Sequence, residues 1–67
     1  MAVLKVIEIL ASSEKSWEDA AKKAVDTASK TLKGITSVYI QDMSAVVKEN
    51  KITEFRVNCK ITFEVMD

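Results

Sequence analysis

The stretch Ile52–Met66, ITEFRVNCKITFEVM, alternates apolar and polar residues over most of its length. Phe55, Val57, Cys59, Ile61, Phe63 and Val65 fall on one side, and Glu54, Arg56, Asn58, Lys60, Thr62 and Glu64 on the other. Successive strand residues point to opposite faces, so this period of two predicts one long strand with one face buried. Just before it, Glu49-Asn50-Lys51 marks a turn, with Asn50 able to take the left-handed conformation. Upstream again, ITSVYIQDMSAVVKEN is rich in β-branched residues and is interrupted by the polar QDMS, which predicts a second strand with a bend or bulge there. The last two strands therefore form an antiparallel hairpin.

Further upstream the period changes. Trp17, Ala20, Ala21, Ala24, Val25, Ala28 and Leu32 are spaced as one face of a helix, while Glu18, Lys22, Lys23, Asp26, Lys30 and Lys33 line the other face. Ser16 is a suitable N-cap, with Asp19 three residues on as an approximate capping box. The spacing predicts an 18-residue helix from about Trp17, ended by Gly34, its last lysines meeting the negative end of the dipole. The polar ASSEKS precedes it and closes a first strand, Val3–Leu10, VLKVIEIL. The order is β-α-β-β, an α+β domain of one helix on a three-stranded antiparallel sheet, occupying residues 1–67 without linker or repeat.

Size then points to assembly. The chain has 67 residues, no His, one Cys and one Gly. A chain this short buries only about 60% of its unfolded surface, and neither a disulfide nor a His- or Cys-based zinc site is open to it to make up the deficit. The third strand, at roughly 3.3 Å per residue, is about 50 Å long, whereas an 18-residue helix covers about 27 Å. One helix cannot roof that sheet, so the remaining apolar surface and the two sheet edges call for other subunits.

Charge narrows the function. Ten Lys and Arg balance ten Asp and Glu, which gives no basic excess for nucleic acid or an anionic membrane. The apolar runs are too short to span a bilayer, and Lys5 and Glu8 interrupt what a signal peptide needs as its apolar core. A soluble, cytoplasmic protein is expected. The lack of His removes the commonest general base and the Ser-His and Cys-His nucleophile pairs, so no enzyme is expected.

The segments KVIEILASSEKSWEDAAKKAVDTASKTLKGI, VYIQDM and EFRVNCKITFEV, in that order and spacing, resemble the dodecins, small flavin-storage proteins of bacteria and archaea. The likeness runs from about Lys5 to Val65. It implies a β-α-β-β protomer, twelve copies in a hollow homododecamer of cubic symmetry, and flavin dimers (FMN, FAD or riboflavin) held between subunits. In flavin-binding dodecins a Trp on the second strand stacks on the isoalloxazine ring and a Gln on the third strand hydrogen-bonds its edge. The matching positions here are Ser37 and Arg56, so the chain resembles the branch without the stacking Trp. Ser37 offers no aromatic face, and Arg56 donates hydrogen bonds but cannot accept one from the ring N–H. Asp42 matches an acidic position near the ribityl chain, and Tyr39 lies next to the ligand segment. The resemblance implies non-catalytic binding and storage of flavin or a related nucleotide cofactor. The alternative is a structural or cation-binding shell with a degenerate flavin pocket, since a relative of this branch is associated with calcium.

Other residues have plainer readings. Trp17, in the first helical turn, is expected to pack rather than stack on a ligand, and Cys59 to be a small buried hydrophobe. The row Arg56, Asn58, Lys60 could meet phosphate or carboxylate, or could pair with Glu8, Glu54 or Glu64 across strands and subunits. Asp42 with Glu49 or Asp67 could offer oxygens to a hard cation at a symmetry axis, though no EF-hand spacing supports it.

Overall fold

The structure is a computed structural model that describes residues 3–65. The end of the expected third strand at Met66, and Asp67 as a candidate cation ligand, lie outside the described residues. The element order is β1 (Val3–Ser13), α1 (Trp17–Ala28), β2 (Ile35–Lys48) and β3 (Lys51–Val65). The strands form one antiparallel sheet in the order β1-β3-β2, with the long alternating strand in the middle. The expected α+β fold is therefore what the chain adopts.

The alternation of β3 sorts the sheet into two faces. Val57, Cys59 and Ile61 are buried against Ala20, Ala24 and Ala28 of α1. Alanines at every fourth position make a smooth stripe, which lets the helix lie close on the pleat. Ile7, Ile9, Trp17, Val25, Leu32 and Ile40 pack around this centre. Cross-strand partners share a face, so the opposite side carries Leu4, Val6, Glu8, Leu10 and Ser12 of β1. It also carries Ser37, Tyr39, Asp42 and Ser44 of β2, flanking Arg56, Asn58, Lys60 and Thr62 of β3. No element of the protomer covers this open face.

The register of β2 shifts between Ile35 and Ser37, between Ile40 and Asp42, and between Val46 and Val47. The second shift leaves Gln41 unpaired, at the expected interruption in QDMS. It also changes which residues face the helix: Ile40 and Met43 share the covered side with Cys59 and Val57, while Asp42 and Ser44 stand beside Asn58 and Arg56 on the open side.

Three boundaries differ from the sequence reading. The first strand continues to Ser13, because Ala11, Ser12 and Ser13 pair with Val57, Arg56 and Phe55; the polar run read as a turn is still strand. The hairpin turn is tighter than three residues. Glu49 (φ 51°) and Asn50 (φ 65°) both have positive φ, the pattern of a two-residue turn whose twist suits a hairpin, and Lys51 already belongs to β3.

The helix is 12 residues, not 18. After Ala28 the backbone tightens: the Thr31 and Leu32 amides both donate to the Ala28 carbonyl, at 3.2 and 2.9 Å, and Ser29 Oγ donates to the Asp26 carbonyl at 2.8 Å. Serine and threonine bonding to nearby carbonyls compete with further helical turns. Leu32 still packs on the core, but from a turn. Lys30 and Lys33 thus lie beyond the helix, whose last turn holds no basic residue. Gly34 is no helix stop either. It enters β2 with φ 76°, and its carbonyl accepts from the Glu64 amide at 2.9 Å.

At 1.5 Å per residue the shorter helix spans about 18 Å, against a longest molecular dimension of 51 Å. The mismatch exceeds the one expected from sequence. Leu4, Val6, Leu10 and Tyr39 on the open face, and Met43, Val47 and Ile52 toward the hairpin, are exposed.

Candidate functional site

The open face is built by the alternate residues that the core does not use. Near its middle a groove of about 400 Å³ runs across all three strands, lined by Leu10, Ser12, Asp42, Ser44, Arg56 and Asn58, with Ala11 and Val57 beneath. Leu10, 77% exposed, is its apolar wall. Arg56 stands opposite Ser12 on one side and Ser44 on the other; Asn58 stands between Leu10 and Asp42.

The charges in this groove are uncommitted within the protomer. Among the described residues the ion pair within 4 Å joins Lys23 to Asp19, at 3.4 Å. Arg56 and Asp42 have none, and Lys60, though directly opposite Glu8, makes no such pair with it. The expected cross-strand pairing of Arg56 and Lys60 with Glu8, Glu54 or Glu64 is therefore not made inside the protomer. Oδ1 of Asn58 is buried with no hydrogen-bond partner among the described residues, a costly state for an amide oxygen unless something else donates to it.

Of the four residues expected at a ligand site, Asp42 and Arg56 line the groove, whereas Ser37 and Tyr39 do not. They share its face but sit beside Thr62 and Lys60. Six residues of β3 separate the Arg56 position from the Thr62 position, about 20 Å of strand. One small ligand on one protomer cannot touch both Ser37 and Arg56. Asn58, named from sequence in the row with Arg56 and Lys60, lines the groove as well; the missed members include Ser44, which the bulge at Gln41 turns into the site.

Asp42 and Glu49 do not come together: Glu49 is in the hairpin turn, seven residues along the strand, again roughly 20 Å or more at strand spacing. No group of three or more His, Cys, Asp or Glu placed to hold a metal occurs among the described residues. The expected joint cation site of these two is thus not formed by one protomer, because extended chain keeps them apart.

The remaining polar cluster fixes the helix start. Ser16 accepts from the Asp19 amide at 3.0 Å, as an N-cap should. The Asp19 carboxylate does not complete a capping box. It accepts from Ser13 Oγ at 2.5 Å and pairs with Lys23. The Ser13 hydrogen bond, with help from Lys23 and Lys15 and against some desolvation, holds its carboxyl below the usual carboxylate range. Trp17 packs edge-on to Phe55, ring centroids 4.8 Å apart. Cys59 is fully buried with Sγ 3.4 Å from the Ile9 carbonyl, and burial pushes the thiol up. Both follow the structural readings made from sequence. Among the described residues no helix is long and apolar enough to cross a membrane.

Comparison with known proteins gives a consistent set of likenesses. The family model described as Dodecin matches residues 3–66. Calcium dodecin of Mycobacterium tuberculosis is 40% identical over 67 residues, covering 97% of this chain and 92% of that protein. The solved structure of that calcium-chelating immunodominant antigen, described with a novel calcium-binding site, superposes with TM-score 0.84 at 31% identity over 96% of this chain and 91% of that one. Dodecin from Streptomyces coelicolor shares the fold, with TM-score 0.94 at 20% identity over 98% and 94% of the two chains.

Proposed function

Since this chain belongs to the dodecin family, a family of small binding proteins that form homo-oligomers, we propose that it is a cytoplasmic, non-catalytic binding and storage protein. It works as a homododecameric shell with its ligand held between subunits. The observation that carries this reading is the uncovered sheet face, with Leu4, Val6 and Tyr39 exposed along it to one side of the groove of Leu10, Asp42, Ser44, Arg56 and Asn58. An apolar face of this extent on a small soluble protein is an interaction surface. Ser37 joins Arg56 in one site only when different subunits supply them, whereas Tyr39 stands one same-face step, about 7 Å, from Asp42 on the same protomer.

In the first reading the ligand is a flavin or related nucleotide cofactor, FMN, FAD or riboflavin. The groove supports it, with an apolar wall, a cation and the exposed Asp42 carboxylate together. Ser37 stands where flavin-binding dodecins carry their stacking Trp, so this ligand is held by edges and charge rather than by a ring sandwich. Titration of the purified protein with each flavin tests it: quenching of flavin fluorescence at micromolar concentration is expected, and its absence for all three removes the reading.

A second reading, calcium, is favoured by the name and 40% identity of the M. tuberculosis relative. Asp42, an exposed carboxylate repeated by symmetry, would supply oxygens that one protomer cannot assemble alone. Calcium binding only to the folded shell raises the melting temperature as calcium concentration increases. No rise in chelator-treated protein, with no heat of binding in calorimetry, excludes it.

A further inference from the structure

We propose that the free end of the β2-β3 hairpin is a docking arm, whose tip lies on the open sheet face of a neighbouring copy of this chain, against Leu4, Val6 and Glu64 of that copy. This rests on the reading of the protein as a homo-oligomeric shell and specifies which two surfaces meet.

The pairing of β1 with β3 ends at Ser13 opposite Phe55, and α1 begins at Trp17, packed on that same Phe55. Past this point the pairs Val46-Glu54, Val47-Ile52 and Lys48-Lys51 carry the hairpin on as a ribbon of two strands. Such a ribbon is marginal by itself in water. This one nevertheless holds Val47 and Ile52 side by side, 61% and 56% exposed, with Met43 exposed at its base. An apolar end of this kind gains by being covered.

Charge identifies the surface that covers it. The tip carries Lys48 opposite Lys51, against Glu49 in the turn, and neither lysine has an ion pair among the described residues. Two tips brought together would crowd like charges. In the groove, Asp42 is accompanied by the cation Arg56, and the helix acids Glu18 and Asp26 have no large exposed apolar side chain on their own element. The far end of the open face fits. Leu4 and Val6 are exposed there, Leu4 stands directly opposite Glu64, and Glu64 is an exposed carboxylate with no ion pair among the described residues. Glu8, on the same face, already has Lys60 across from it, which leaves Glu64 as the counter-charge. An apolar, basic arm thus meets an apolar, acidic face. The protomer cannot make this contact with itself, because Lys51 and Glu64 lie at opposite ends of β3 in a molecule 51 Å long. The two patches differ, so the contact is head-to-tail and closes into a ring when the rotation allows.

Charge reversal with light scattering at low salt tests the contact. Lys48→Glu combined with Lys51→Glu is expected to bring the assembled mass down toward the 7.5 kDa protomer and its small multiples, and Glu64→Lys alone to do the same. Joined in one chain, these reversals restore attraction across the contact, and the full mass should return. Val47→Asp with Ile52→Asp should also lower the mass, without rescue by Glu64→Lys, because the apolar part of the contact is then lost. All these side chains are exposed in the protomer, so its own core is untouched, and far-ultraviolet circular dichroism verifies the fold of each variant. Arm variants that keep the full mass, or reversals that dissociate singly and fail to reassemble when joined, overturn the inference and leave the shell standing. A parent protein at protomer mass overturns the shell itself, and this contact with it.

Discussion

The indole Nε1 of Trp17 donates a 2.9 Å hydrogen bond to the backbone carbonyl of Ser44. This ties the first turn of α1 to β2, the strand it otherwise touches least, directly behind a groove residue. The same ring packs edge-to-face on Phe55, the β3 neighbour of Arg56. Helix start, hairpin and groove are thus held by one side chain, which explains why a lone Trp sits at the helix entrance rather than in a ligand pocket.

Trp17→Phe keeps most of the packing and loses the hydrogen bond, and is expected to cost about 1 kcal/mol. Trp17→Ala loses both and should cost roughly 3 kcal/mol, the low end for aromatic truncation because the ring is only half-buried. Urea denaturation of the assembled protein measures both. Equal stability of Trp17→Phe and the parent would show that the bond to Ser44 adds nothing.

Ser13 is buried and serves two partners, donating to Asp19 and accepting from the Lys15 amide at 2.9 Å. Asp19 titrates lower in the folded chain than in the unfolded one, so its contribution is fully present above the unfolded value, near pH 4, and fades as pH falls through the folded one. Ser13→Ala should therefore lower the melting temperature more at pH 7 than at pH 3. An equal loss at both values would mean that Ser13 acts through packing and the Lys15 amide alone.

How far the sequence could be read follows from which signals are local. The alternation of β3 is a local pattern with one face buried, and it specified the central strand, its inward residues and the fate of Cys59. The alanine stripe identified the helix and its buried face, but its periodicity ran on through Leu32 although the helix stops at Ala28: Leu32 satisfies the apolar pattern from a turn, and the pattern cannot distinguish the two. Short runs of small polar residues are equally ambiguous, as Ser12 and Ser13 show, since pairing with β3 overrides their turn preference. The groove was half legible. Asp42 and Arg56 came from resemblance and Asn58 from the polar row it shares with Arg56 and Lys60, but Ser44 reaches the face only through the bulge at Gln41, a register effect that depends on the partner strand.

The hairpin turn should respond to residues that favour positive φ. Glu49 and Asn50 both occupy that region, and two-residue turns of this kind prefer Asn-Gly. Asn50→Gly is expected to raise stability by about 0.5 kcal/mol, and Asn50→Val to lower it by about 1–2 kcal/mol. Gly34→Ala should also cost about 1–2 kcal/mol, because φ is 76° and an added Cβ would lie 3.3 Å from the Glu64 carbonyl oxygen. Thermal melts at fixed protein concentration check all three. A neutral Gly34→Ala would mean that the junction relaxes without strain.

The exposed face itself can be tested through mass. Leu10 and Val6 are 77% and 57% exposed in the protomer, which leaves substantial apolar surface that assembly would remove from water. If subunits cover it, light scattering should give about twelve times the 7.5 kDa protomer mass, and a buried charge at Val6→Glu or Leu10→Glu should break the shell, since an unpaired carboxylate is costly to desolvate. The assembly supplies much of the hydrophobic burial a domain of this size lacks, so dissociation should be accompanied by loss of near-ultraviolet circular dichroism from Trp17 and Tyr39. Variants that keep the full mass would place these side chains outside the subunit contacts, facing the interior or the solvent. Variants that dissociate into stably folded protomers would show instead that the thin core of Val57, Cys59 and Ile61 under three alanines is sufficient on its own.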